Sequence, residues 1–180
     1  MLVLASGSPQ RAAILSQLGV DFTVQAAEVD EVTGGDPGEM VEQNALLKAR
    51  AVPGARVLGS DTTVSLDGVV LGKPADEAEA RAFLERLSGV THGVWSAVAL
   101  IEAGEERTAV DCTEVTFRAL TGAEIDAYVA TGEWHGRAGG YAIQGRGAAL
   151  VERIEGDYNC VVGLPVAALI GLAPELASRP

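Results

Sequence analysis

Short apolar runs of strand length alternate with stretches of helical spacing along the whole chain, and most changes are marked by glycine or proline. Such a pattern has to lay helices on a sheet, which makes the fold α/β, or α+β, with a twisted mixed sheet and flanking helices. Residues 2–5 predict a first strand, and a helix follows over 11–18, with Ser8 as its cap, Pro9 in its first position and Gly19 as its stop. An extended segment over 20–29 leads to Asp30 and Glu31, and a second helix over 38–51 is entered through Asp36-Pro37. Residues 56–60 predict a short buried strand with Asp61 at its carboxyl end, and 62–66 with 69–71 predict a hairpin about Asp67-Gly68. A helix over 75–87 ends at Gly89, and long strands over 93–101 and 108–118 meet at Gly104. Thr121 and Glu124 have the spacing of a capping box, for a helix closed by Gly132. A glycine-rich loop over 136–147, a strand over 148–154 and a helix over 165–176 complete the chain. No repeat, low-complexity tract or linker interrupts it, so residues 1–180 predict one domain, with room to fold as two lobes around a cleft.

Hydrophobic residues make up 48% of the chain and aromatics only 4%, so the core is expected from Ala, Val, Leu and Ile rather than from rings. A formal net charge of -12 argues against nucleic acid and anionic membrane as partners, and makes any phosphate site a local exception. Cys112 and Cys160 lack neighbouring Cys or His and predict reduced core residues, not a disulfide or zinc site. Residues 1–11 carry no basic leader or cleavage pattern, and the apolar run 161–173 is too short and too broken by glycine and proline to cross a bilayer. The expected location is cytoplasmic.

Several segments have the chemistry of a phosphate-handling site. Ser6, Gly7 and Ser8 place small residues and backbone N–H groups at a helix start, with Arg11 in its first turn, as phosphate-binding helix termini do. The same residues also suit an ordinary capped helix with a surface arginine. Asp61, followed by Thr62, is placed as a catalytic carboxylate on a rigid strand, and Asp30 and Glu31 form a second acidic pair. Carboxylates converging from both places can hold a magnesium ion and polarise a water, whereas apart they are solvated surface acids. Lys48, in an otherwise apolar helical stretch, and Lys73 before Pro74 can offset polyphosphate charge. His92 at a strand start reads as structural. Within the glycine-rich loop, Gln144 can both donate to and accept from the edge of a nucleobase.

Read in order, these pieces resemble one family. Leu4-Ala5-Ser6-Gly7-Ser8-Pro9, Asp30-Glu31, Lys48-Ala49, Gly59-Ser60-Asp61-Thr62, Gly72-Lys73-Pro74, Leu87-Ser88-Gly89 with His92, Ala138-Gly139-Gly140-Tyr141 with Ile143-Gln144-Gly145, and Gly156-Asp157-Tyr158 with Val161-Val162-Gly163-Leu164-Pro165 are similar to the motifs of the Maf family, across nearly the whole chain. The resemblance implies a two-lobed mixed α/β fold with a deep cleft, akin to the inosine triphosphate pyrophosphatases. It also implies hydrolysis of a nucleoside triphosphate to monophosphate and pyrophosphate with a divalent cation, Mg2+ or Mn2+. By position, Asp61 corresponds to the proton acceptor, with Glu31 its acidic partner at the metal. Ser6, Ser8, Arg11, Lys48 and Lys73 correspond to substrate-binding positions, and Gln10, Thr62 and Gln144 to positions that set specificity. The segment Gly140-Tyr141-Ala142-Ile143-Gln144-Gly145 is similar to the branch acting on dTTP and UTP, whereas the 7-methyl-GTP branch tends to carry Ser-Phe and then Glu there.

The chain departs from the family pattern at Gln10, where an arginine is usual, at Gly136-Arg137 in place of Asp-Lys, at Gly140 in place of Ala or Ser, and at Cys160 in place of Asn. Beside the pyrophosphatase stand two other readings: a catalytically weak, nucleotide-binding regulator of cell division, and a pyrophosphatase for another modified nucleotide. The expected partner is a nucleoside triphosphate, and assembly is open between monomer and homodimer.

Overall fold

The computed structural model describes residues 1–177. Its strands are β1 (Leu2–Leu4), β2 (Phe22–Val24), β3 (Arg56–Leu66), β4 (Val69–Leu71), β5 (Thr91–Glu102), β6 (Glu105–Phe117) and β7 (Val151–Glu155). They form one seven-stranded mixed sheet in the order β2-β1-β3-β5-β6-β7, with β4 paired to β3 outside that path. β1 lies parallel to both β2 and β3, and the remaining pairs are antiparallel. The helices are α1 (Pro9–Gln17), α2 (Pro37–Ala51), α3 (Glu77–Leu87), α4 (Gly122–Val129), α5 (Tyr158–Val162) and α6 (Val166–Leu172).

Local chemistry accounts for the helix starts. Ser8 caps α1, with Pro9 in the first turn, and the Asp36 carboxylate accepts from the N–H groups of Gly38 and Glu39 to start α2. The capping box of Thr121 and Glu124 is complete at α4. Elsewhere the chain differs from its sequence pattern. β3 is one strand of 11 residues, so Asp61 lies in its interior, not at its end. The reason is non-local: β5 pairs with β3 without interruption from Arg56↔Glu102 to Ser65↔Gly93. The expected strand from 148 begins only at Val151, because Gly145–Ala149 form a 3-10 turn. The expected final helix is broken into α6 and a 3-10 turn at Pro174–Leu176, since a helix cannot continue into proline. The short helix α5, capped by Asp157, had no counterpart in the sequence pattern. Among the described residues no helix is long and apolar enough to cross a membrane.

Alternation along β3 assigns its residues to two faces. Val57 packs under α2 with Ala45, Ala49, Ala97 and Ala99. Leu58 packs on the opposite face with Leu4, Leu100, Leu164 and Leu169. Full burial of a leucine contributes about 2 kcal/mol, so these aliphatic layers carry much of the stability, as the composition suggested. A third cluster departs from that expectation: Phe117, Tyr128, Trp134 and Tyr141 gather around Val64, Leu71 and Leu84, so the few rings are concentrated in one lobe.

The two lobes share the sheet but part along one edge of β3. β1 ends at Leu4, opposite Leu58, and β4 ends at Leu71, opposite Val64. Residues 59–63 therefore have a strand partner only on the β5 side, and the chain leaving β1 and the chain leaving β4 diverge from the gap. A cavity of about 550 Å³ opens there.

Candidate active site

Asp61 occupies the gap because strand alternation turns it, like Gly59, toward α2. The helix rides close on the strand: a Cβ at Gly59 would fall on the Ala45 carbonyl and lie 2.8 Å from the Ala49 nitrogen. That approach lays Asn44 and Lys48, one helical turn apart on a common face, directly onto the carboxylate. Lys48 Nζ donates to Asp61 Oδ1 at 2.6 Å, and Asn44 Nδ2 donates to Asp61 Oδ2 at 3.0 Å. Each carboxylate oxygen has two lone-pair sites, so one acceptor site on each remains open. Lys48 also reaches Glu31 Oε1 at 2.7 Å, and so stands between the two acids. Its own side chain and that of Asp61 are each only 9% exposed, whereas the Glu31 side chain is 35% exposed.

Asn44 performs a second task. Its Oδ1 accepts from the N–H of Val32 at 2.8 Å and its Nδ2 donates to the Val32 carbonyl at 3.0 Å, which ties the loop carrying Glu31 to α2. Lys73, just past β4, comes within 3.9 Å of Glu31 Oε2 at the cleft mouth. Burial pushes the Glu31 carboxyl upward, but the hydrogen bond and charge of Lys48, with the charges of Lys73 and Arg11, outweigh it and hold Glu31 below the usual carboxylate range. Asp30, its sequence neighbour, is exposed and does not line the cleft.

On the opposite face of β3, Arg11 fastens the lobe. Its Nε donates to the Gly163 carbonyl at 2.7 Å, Nη1 to Ser6 Oγ at 2.9 Å and Nη2 to Thr62 Oγ1 at 3.1 Å. Each terminal nitrogen keeps a second hydrogen for a ligand. Burial pulls the Arg11 guanidinium below its ordinary value, against the opposing pull of Asp61 and Glu31. Thr62 faces the cleft with its hydroxyl already bonded to Ser96 Oγ at 2.8 Å and directed at the Gly163 carbonyl at 3.3 Å. At the start of α1, the Ser8 N–H donates to Ser6 Oγ at 3.2 Å and Ser8 Oγ donates to Gln10 Oε1 at 3.2 Å.

The residues singled out in the sequence therefore converge. Ser6, Ser8, Gln10, Arg11, Glu31 and Lys48 line one cavity with Asp61, Thr62, Lys73 and Gln144. Gln144 stands exposed on the far wall, and it makes no capping hydrogen bond to the turn that it begins. His92 lies outside the cavity, buried, with its Nε2 2.8 Å from the hydroxyl of Tyr141, a wall residue. Asn44, Ser96, Glu133 and the Gly163 carbonyl did not stand out in the sequence. Asn44 carried one usable signal, a polar residue four places before Lys48 and separated from it by the apolar run Ala45-Leu46-Leu47. The other three act through contacts that no local pattern reveals.

Magnesium and manganese take oxygen ligands and commonly use one or two carboxylates, with substrate phosphates and water completing the shell. Glu31 and Asp61 supply such a pair. Among the described residues no group of three or more His, Cys, Asp or Glu side chains is placed to hold a metal. The donor set thus fits a cation shared with a bound polyphosphate, and does not fit one held by protein alone.

Comparison with known proteins gives the site a context. The family model described as Maf-like protein matches residues 1–176. A dTTP/UTP pyrophosphatase of Symbiobacterium thermophilum is 53% identical over 171 residues, which cover 92% of this chain and 88% of that protein. One of Deinococcus radiodurans is 47% identical over 176 residues, covering 95% and 90%. Among solved structures, one described as that of the Staphylococcus aureus Ham1 protein aligns with a TM-score of 0.49 and 16% identity, over 64% of this chain and 71% of that one.

Proposed function

The chain belongs to the Maf-like protein family, and on that premise we propose that it hydrolyses dTTP and UTP to the monophosphate and pyrophosphate. The observation that carries the reading is the buried Asp61 carboxylate, fixed by Lys48 and Asn44 at the floor of a cleft whose mouth carries further cations. In this mechanism Asp61 accepts a proton from the water that attacks the α-phosphorus, using the lone-pair site left open beside Lys48 or Asn44. The bond from the α-phosphorus to the bridging oxygen breaks, and pyrophosphate leaves with the bond pair. Lys48, Lys73 and the free hydrogens of Arg11 bind the phosphate oxygens and offset the charge that builds on them. Glu31 and Asp61 would hold a magnesium or manganese ion, whose charge when bound reinforces that of the lysines. Ser6 and Ser8 hold the phosphates at the start of α1. Gln10, Thr62 and Gln144 shape the selectivity, Thr62 through its bonds to Arg11 and Gly163, and Gln144 at the edge of the base.

A panel of dTTP, UTP, CTP, GTP and 7-methyl-GTP, with Mg2+ or Mn2+ and with a chelator, tests this directly. The expected result is metal-dependent pyrophosphate release from dTTP and UTP above the others. Asp61→Asn removes the proton acceptor at almost constant volume, so turnover is expected to fall about 10²-fold or more while nucleotide binding persists. Near-normal turnover by that variant would rule Asp61 out as the base. Nucleotide binding without release by the parent protein would favour a regulatory module, and preferential release from 7-methyl-GTP would overturn the base preference.

A further inference from the structure

Gln144 opens a 3-10 turn, Gly145–Ala149, and a turn of this kind leaves N–H groups at its start in need of acceptors. At the start of an α-helix a Ser, Thr, Asp or Asn side chain commonly supplies one. Here Gln144 does not, and its amide is left for the cleft. The acceptor comes instead from Glu133, on the segment after α4. Both of its carboxylate oxygens accept from the N–H of Arg146, at 3.1 and 3.0 Å, and Oε2 also accepts from the N–H of Gly147 at 3.2 Å. Gly145 permits this approach. Its φ is +67, and a Cβ there would lie 2.8 Å from Glu133 Oε1.

The Glu133 segment is itself anchored, because its own N–H donates to Thr131 Oγ1 at 3.1 Å. On the other side of Gln144, the Ala142 N–H donates to the Tyr128 hydroxyl at 3.0 Å, and the Tyr141 hydroxyl meets His92. Gln144 is therefore the free-headed residue of a strap pinned on both flanks, and Glu133 is the charged pin. A carboxylate bonded to backbone N–H groups is a stronger restraint than a neutral acceptor.

We propose that Glu133 is a positioning residue for base selection: by taking over the capping of the turn, it leaves the Gln144 amide unspent and fixes where that amide meets the nucleobase. The inference rests on the role given to Gln144 above. It requires no contact between Glu133 and the phosphates.

The test compares the parent, Glu133→Gln, Glu133→Ala and Gln144→Ala in three measurements: amide hydrogen exchange at residues 146 and 147, kcat and KM for UTP and CTP, and equilibrium binding of both nucleotides in chelator. For Glu133→Ala the expected result is faster exchange at those two amides, a KM for UTP raised on the order of tenfold with kcat within about twofold, and a matching loss of UTP preference over CTP. Glu133→Gln keeps one acceptor oxygen and is expected to recover part of the preference. Faster exchange with preference unchanged would make Glu133 merely structural and overturn the proposal, as would unchanged exchange, or a fall in kcat alone. Should Gln144→Ala keep the parental preference, the base-reading role fails and takes the inference with it. A preference lost in Gln144→Ala but kept in Glu133→Ala would overturn this inference and leave that role standing. If the parent releases no pyrophosphate, the proposed activity fails, and the binding preference of Glu133→Ala in chelator still decides the inference.

Discussion

Asp61 shows what a single buried charge requires. A carboxylate with its side chain 9% exposed is costly to desolvate unless it is paired and hydrogen-bonded, and here Lys48 and Asn44 do both. His92 shows the opposite solution, in which the buried group stays neutral. Burial pushes its imidazole down to about 4, opposed only in part by the backbone of Val90. Between that value and the ordinary histidine range the unfolded chain binds the proton and the folded one does not, so the contribution of His92 to folding stability is fully present above about pH 6.5 and is lost as pH falls toward 4. A depression of this size corresponds to a loss of about 3 kcal/mol. Denaturant unfolding at pH 7.5 and pH 4 is expected to show that loss in the parent and a smaller one in His92→Gln, which keeps a polar group for the Tyr141 hydroxyl. Equal losses in both proteins would mean that other groups set the acid limb.

At the scale of elements, the decisive contact is α2 on β3. Gly59→Ala places a methyl group against the Ala45 carbonyl, which is backbone and cannot rotate away. The helix must lift, so stability is expected to drop by about 3 kcal/mol or more. Turnover should fall with it, since Asn44 and Lys48 move off Asp61. Gly171→Ala, in α6 with nothing near the new methyl group, serves as the control and should be neutral or slightly stabilising. Thermal unfolding and turnover of the two variants check both statements. The same contact separates what the sequence made legible from what it did not. The starts of α1, α2 and α4 could be read because Ser8, Asp36 and the Thr121–Glu124 pair act within their own first turns. The continuation of β3 through Asp61 could not, because it depends on a partner strand some forty residues later. The site divides in the same way. Lys48, Asp61 and Gln144 stood out by residue type in their segments, whereas Asn44 and Glu133 acquire their tasks only when Val32, Asp61 and the turn at Gly145 are brought beside them.

The whole molecule sets a last condition on its substrate. The chain carries a net charge of -12, yet the cleft is lined by four cations, Arg11, Lys48, Lys73 and Arg137, and three carboxylates, Glu31, Asp61 and Glu133, one positive charge in excess. A free nucleoside triphosphate must therefore approach a repelling body to reach an attracting pocket. Which field governs its arrival depends on distance. At 0.01 M salt the screening length is about 30 Å, long enough for the body as a whole to be felt, while at 0.15 M it is about 8 Å and only the cleft acts at close range. Moderate salt should thus remove more repulsion than attraction, in contrast to proteins whose basic surfaces steer polyanions inward. Stopped-flow association of a fluorescent UTP analogue, in chelator, is expected to speed up severalfold from 0.01 to 0.15 M salt. A rate that falls steadily across that range would show that the cleft cations project beyond the acidic surface and steer the substrate from the first encounter.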